Sequence, residues 1–262
     1  MTTELPQPTR RTKRSTIRRS SHDDIQAVHA WLVDEEERGV HGNFLCNWQV
    51  VESAHRDDKL LVYVDGVSSL PVGFQLGGLI QPGILQVRNE YRRRGIGRKL
   101  VERCITLAYK RDHCLLYIEC KPSSSIPFWE RMGFNLLENN AGGNYAYRIL
   151  HKQHALPEVG SDIKVVIRFY ANGRQWDETT PPYITATPAA KLTPNGTVYL
   201  AERVLFHEGV YPTARDMVVE IEVAWERLFL DKAKYERAQQ LGVIQCRNGF
   251  YIDRIQIAHT ER

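Results

Sequence analysis

The chain has 262 residues, 42% of them hydrophobic and 25% charged, which is the composition of a globular protein with enough length for two modest domains. Lys and Arg outnumber Asp and Glu by 35 to 31, and the whole surplus lies in residues 1–159, where the count is 22 to 18 against 13 to 13 in the remainder. No apolar run is long enough to cross a membrane, and the five cysteines have neither paired spacing nor His partners, so no membrane span, metal centre or disulfide framework is expected.

Residues 1–14 hold Arg10, Arg11, Lys13 and Arg14 with no apolar core behind them. They read as a flexible basic arm rather than a secretory leader, and with reduced thiols they point to a cytoplasmic protein. Ser15 to Arg19 reads as a first strand. Ser20 to Asp24 then supplies caps for a helix carrying Ile25, Val28, Trp31 and Leu32 on one face. After a polar break at 38–43, Leu60 to Val64 and Val72 to Leu76 read as strands joined through an Asp65-Gly66 turn. Gly83 to Val87 continues an antiparallel meander. Ile96, Leu100, Val101, Cys104, Leu107 and Ala108 recur at helical spacing. Leu115 to Glu119 is a strand that can lie parallel to 83–87, and Tyr145 to Leu150 closes the domain.

A compositional shift near 156–161 sets the boundary, giving domains at 15–155 and 160–262. Beyond it, Ile163 to Tyr170 and Thr197 to Phe206 read as strands, and residues 243–253 as a hairpin about Asn248-Gly249. Met217 to Leu241 fits two patterns. Val219, Ile221 and Val223 alternate as in a strand, while Val218, Ile221, Trp225 and Leu228 make a helical stripe, and a helix over 224–241 closed by Gly242 is the expectation. The second domain is expected to be a smaller α+β unit.

The most informative stretch is Tyr91 to Leu100, where a loop containing Arg92, Arg93, Arg94, Gly95 and Gly97 opens a helix. Backbone amides at a helix N-terminus bind phosphate, and basic side chains such as Arg94, Arg98 and Lys99 are unfavourable there unless an anion sits among them. The spacing is neither a Walker loop nor a dinucleotide fingerprint. The pattern Arg92-x-x-Gly95-x-Gly97 resembles the acyl-CoA pyrophosphate loop of the GNAT acetyltransferase superfamily. Phe128-Trp129-Glu130-Arg131-Met132-Gly133-Phe134 is similar to that family's second signature, in the right order after a helix and a strand. The resemblance covers about residues 14–150 and leaves the last hundred or so unrecognised.

The resemblance implies an α/β fold, a mixed and mainly antiparallel sheet wrapped by helices, with acetyl-CoA as co-substrate and no metal. It implies that Leu85, Val87, Arg92, Arg93, Arg94, Gly95, Ile96, Gly97, Arg98, Ser125 and Trp129 hold the cofactor, and that the Val87 amide stabilises the thioester oxyanion. Acetyl transfer also needs an acid and a base. The family often places a Tyr where this chain has Trp129, whose indole donates a hydrogen bond but no proton, and an Asn where it has Pro122. Tyr145 and Tyr147 are alternative acids, or ordinary packing residues. Glu119 at a strand end is the candidate base, with strand-end charge as its plain alternative. The run Glu35–Glu37 is read as a solvated helix face and a secondary candidate. His41 is a further candidate base, and Cys120 is an inert thiol. The reading is an N-acyltransferase acting on a primary amine by direct attack in a ternary complex. A tRNA-directed aminoacyl acetyltransferase and a non-catalytic CoA-binding module are the alternatives, with no membrane partner, and the second domain is read as either selecting the substrate or forming a homo-oligomer.

Overall fold

The computed structural model describes residues 14–79, 83–137, 144–207, 216–246 and 249–257. The basic arm therefore lies outside the described residues except for Arg14, as does Asn248 of the expected turn. The chain forms two compact units, Met1–Arg148 and Ile149–Arg262.

Unit one begins with β1 (Thr16–Arg19) and α1 (His22–Glu37). Ser21 caps α1 in a capping box: its Oγ accepts from the Asp24 amide at 3.3 Å, while Asp24 accepts from the Ser21 amide at 2.7 Å. Asp24 also takes both arms of Arg18, tying helix to strand. Ile25, Val28, Trp31 and Leu32 bury the inner face against Val62, Val64 and Phe74. α2 (Trp48–Arg56) follows, a helix for which 44–59 gave no sequence expectation, and Val51 is its fully buried anchor.

β2 (Leu61–Val64), β3 (Pro71–Gln75) and β4 (Leu85–Val87) complete an antiparallel sheet in the order β1-β2-β3-β4. α3 (Ile96–Lys110) packs Ile96 and Leu100 onto it. β5 (Leu115–Glu119), α4 (Ile126–Arg131), β6 (Asn135–Leu136) and β7 (Tyr145–Ile149) follow, and the strands form a separate sheet in the order β5-β7-β6. β4 and β5 lie in different sheets, each as an edge strand, and a gap separates them.

Unit two is nearly all strand. β10 (Ile184–Ala186), β9 (Val165–Tyr170), β13 (Val218–Val223) and β14 (Glu226–Lys232) form one sheet in that order. β15 (Val243–Cys246), β16 (Gly249–Gln256), β12 (Thr197–His207), β11 (Ala190–Leu192) and β8 (Ser161–Asp162) form the other. The two sheets share one core, in which Phe169 and Phe206 stack with ring centres 5.3 Å apart. The expected helix over 224–241 is replaced by the β13–β14 hairpin and a five-residue α5 (Glu236–Gln240). The strand alternation wins because Val219, Ile221 and Val223 all enter the core together. Residues 152–154 belong to unit two rather than to the first domain. Gln153 bridges Glu202, the His154 amide donates to Ala201 O at 2.8 Å, and the Arg203 amide donates to Lys152 O at 2.9 Å.

Candidate active site

The gap between β4 and β5 is a cleft of about 1260 Å³ within unit one. One wall is β4 and the loop into α3, the other is β5 and the start of α4. The α1–α2 connection contributes His41, Gly42, Phe44 and Asn47, and Gly42 lies where a β-carbon would sit 3.8 Å from Pro122. That connection thus approaches the β5–α4 segment at the cleft.

The pairing of β4 with β3 decides where its amides go. Gly73 faces Val87, Phe74 faces Gln86 and Gln75 faces Leu85. The Arg88 amide donates to Val72 O and the Leu76 amide to Ile84 O, both at 2.9 Å. Hydrogen-bonded pairs alternate in an antiparallel ladder, so Gln86 bonds to β3 while the amides of Leu85 and Val87 turn away from it, toward the gap. The Val87 carbonyl accepts from Arg92 Nε at 3.1 Å. A strand edge left unpaired in a cleft offers donors to a ligand.

The loop supplies more donors. Gly95 is the N-cap of α3 with φ +76°, and nothing stands within 4 Å of the β-carbon it lacks, so its requirement is conformational. Arg93 also has a positive φ, 61°. Arg92, Arg93, Gly95, Ile96, Gly97 and Arg98 line the cleft. Arg94 does not; its guanidinium donates to Glu90 O at 2.9 Å and lies over the Tyr91 ring. Arg98 pairs with Glu102 one turn along the helix at 2.7 Å.

On the opposite wall stand Tyr117, Ile118, Glu119, Lys121, Ser124, Ser125, Phe128 and Trp129. Glu119 is paired with Lys121 Nζ at 2.6 Å, and this contact raises the Lys121 ammonium above its ordinary value. Burial first, then the neighbouring Tyr145 and Glu119, push the Tyr117 phenol up, so it stays protonated through the neutral range. Tyr145 is not on the wall. It stacks on Tyr117, with ring centres 5.5 Å apart and 13° between planes. Ser125 Oγ is buried on the wall with no hydrogen-bond partner among the described residues. Trp129 is wedged edge-on between Phe128 and Phe134. Burial, followed by the charges of Glu130 and Glu119, raises the Cys120 thiol, in keeping with an inert residue.

Glu35 corrects an expectation. It is fully buried rather than solvated, and accepts from the Asn89 amide at 2.5 Å and from Gln86 Nε2 at 3.3 Å. Gln86 in turn accepts from the Phe44 amide at 3.0 Å. The carboxylate is thus a strut between α1, the end of β4 and the α1–α2 connection. Sequence reasoning passed over Tyr117, Phe44, Gln86 and Lys121. The only signal for Tyr117 was its place two residues before Glu119, which puts both on one face of a strand. Among the described residues no group of three or more His, Cys, Asp or Glu is placed to hold a metal ion, and no helix is long and apolar enough to cross a membrane.

A family model described as an acetyltransferase (GNAT) domain matches residues 48–136. No curated protein matches the chain. Among solved structures, it is similar to Ard1 from Thermoplasma volcanium at 21% identity and TM-score 0.39, covering 52% of this chain and 97% of that one. A ribosomal-protein-alanine N-acetyltransferase from Brucella melitensis matches at 23% identity and TM-score 0.39, over 52% and 99%. A PaiA N-acetyltransferase from Thermoplasma acidophilum in complex with coenzyme A matches at 14% and 0.39, again over 52% and 99%.

Proposed function

We propose, for a chain that carries a GNAT acetyltransferase domain over residues 48–136, that the cleft binds acetyl-CoA and transfers its acetyl group to a primary amine in a ternary complex. The observation that supports this most is the ladder alternation on β4, which aims the Leu85 and Val87 amides into a gap that no strand fills.

In this reading the pyrophosphate sits at the N-terminus of α3, against the amides from Gly95 to Arg98 and the charges of Arg92 and Arg93. The pantetheine arm runs along Leu85 to Val87 like an added strand, with the Ser125 hydroxyl, which has no partner among the described residues, as a further contact. The Val87 N–H faces the thioester oxygen and stabilises the negative charge that develops on it. Glu119 takes the proton of the ammonium, directly or through one water, and the free amine attacks the carbonyl carbon. As the tetrahedral intermediate collapses, the C–S bond breaks, the attacking nitrogen gives up its second proton to solvent, and the thiolate takes a proton from a donor that solvent then reprotonates. Tyr117 is the donor this reading favours, because it stands on the wall and is held protonated, whereas Tyr145 stacks on it from off the wall. Trp129, in the position of the family's usual Tyr, contributes packing and an indole N–H.

The test is calorimetry with acetyl-CoA, followed by thiol release in the presence of simple primary amines. Binding without release for any amine would favour a CoA-binding module over an enzyme. For residues 160–262 we propose substrate selection or self-association, since their charge is balanced and Trp176 and Trp225 are exposed on their surface.

A further inference from the structure

The cleft wall is divided by chemical character. Arg92, Arg93 and Arg98 at the loop, Lys121 just after β5 and Arg131 at the end of α4 make that part of it cationic. Among the described residues Glu119 is its only carboxylate, and Lys121 already pairs with it at 2.6 Å. Glu35, a buried acid behind β4, spends its oxygens on Asn89 and Gln86. Toward the β3–β4 end the wall is mainly apolar, with Phe44, Val50, Leu76, Leu79 and Ile84, and His41 and Asn47 as its polar members from the α1–α2 connection. Ile84 leads into β4, and at 3.2–3.4 Å per residue it lies about 10 Å up the strand from Val87, away from the loop. The space beyond the proposed thioester position is therefore mainly apolar and, among the described residues, holds no spare negative charge.

We infer that the acceptor is a primary amine carried on an apolar group, with no second positive charge. This rests on the transferase reading above. A cation additional to the reacting ammonium finds no spare anion on this wall among the described residues, whereas an alkyl or aryl substituent is desolvated against Phe44, Leu76, Leu79 and Ile84. Such a pocket discriminates by about fourfold in kcat/KM for each methylene it buries.

A pair of amines of equal length isolates the charge. The full-length protein is assayed for CoA release from acetyl-CoA with pentylamine and with 1,5-diaminopentane, and along the series from ethylamine to hexylamine. Pentylamine is expected to exceed the diamine at least tenfold in kcat/KM, with a rise along the series. Val50→Glu, a change at a half-exposed position of α2, is expected to improve the diamine about tenfold relative to pentylamine. A diamine as good as pentylamine, or a flat series, overturns the inference while acetyl-CoA binding by calorimetry leaves the transferase reading standing. Faster turnover of hexanoyl-CoA than acetyl-CoA with the same amine also overturns it, because the apolar wall then holds the acyl chain. Failure to bind acetyl-CoA at all removes both readings together.

Discussion

A β-carbon built on Gly97 stands 3.4 Å from the Phe128 ring and 3.8 Å from Val87 Cγ2, so this glycine is where the first turn of α3 meets both α4 and β4. The backbone at Gly97 is helical, so an alanine there is in ordinary contact and unstrained. Gly97→Ala should hold CoA affinity within a few-fold and leave stability level or slightly raised, given the helix preference of Ala over Gly of about 1 kcal/mol. Gly97→Val adds methyl groups that press on the Phe128 ring or Val87, with an overpacking cost of about 1–3 kcal/mol and a parallel loss of CoA affinity. Calorimetry on both variants checks this; equal losses for Ala and Val would mean that the glycine serves the ligand directly rather than the packing.

The Val87 amide can be removed without touching the β3 ladder. Proline lacks the N–H, and the alternation leaves that N–H unused by β3. Val87→Pro is therefore expected to fold and to bind CoA through the loop, while turnover falls on the order of 10²-fold or more, the usual cost of one oxyanion donor. An active Val87→Pro would move the oxyanion contact to Leu85 or elsewhere.

Glu119 and Tyr117 share one strand face but should fail differently. Glu119→Gln removes a base, so kcat/KM drops on the order of 10²-fold near neutral pH, with recovery as rising pH deprotonates the amine in solution. Tyr117→Phe removes an acid for a leaving thiolate that water can also protonate, and a smaller loss, on the order of tenfold, is expected. Rate profiles from pH 6 to 10 distinguish them. A Glu119→Gln variant with the wild-type profile would exclude Glu119 as base.

The Asp24 carboxyl joins α1 to β1. Burial alone would raise it, but hydrogen bonds from Arg18 and Ser21 and the Arg18 charge prevail and hold it below its ordinary value of 3.8. A depressed folded-state value stabilises the fold above the unfolded-state value, and that stabilisation is lost as pH falls from about 4 through the folded-state value. Asp24→Asn should cost about 1–3 kcal/mol at pH 7, toward the lower end because Arg18 is 44% exposed. The gap in Tm between wild type and variant should close between pH 5 and pH 2. A gap that stays constant over that range would show that the carboxyl charge contributes nothing.

What the sequence made legible in unit one is local. Ser21 ahead of an amphipathic run marked α1, the apolar runs marked β2 to β5, and the glycines marked the loop. What it hid depends on partners far along the chain. Glu35 looked like part of a solvated acidic run, and its burial is set by the amide of Asn89, 54 residues away. The separation of β4 from β5 shows only in the strand order, where β5 pairs with β7, beyond α4 and β6 in the chain, and β4 with β3. Tyr117 became a candidate only once that separation put it on the cleft wall.

The β13–β14 hairpin hid for a different reason, and that reason is testable. Val223 pairs directly with Glu226, so the turn is the two residues Ala224 and Trp225, with φ of +50° and +72°. That is the backbone of a type I′ turn, which favours Asn-Gly, and its usual signal is missing from the sequence. L-residues with side chains are strained there by roughly 1–2 kcal/mol each, whereas Asn and Gly adopt the conformation readily. Trp225 recovers part of this through Lys164, whose ammonium lies 3.4 Å from the centre of its ring, an exposed contact of about 0.5–1 kcal/mol. Ala224→Asn combined with Trp225→Gly is expected to raise the unfolding free energy of unit two by about 1–2 kcal/mol, the relief of strain exceeding the lost cation contact. Denaturant unfolding followed by the near-UV signal, with Trp225→Ala as the control that loses the ring and keeps the strain, checks this. A double variant less stable than wild type would mean that the Trp225 ring outweighs the turn geometry, and that its 74% exposed face is retained for contact rather than tolerated at the turn.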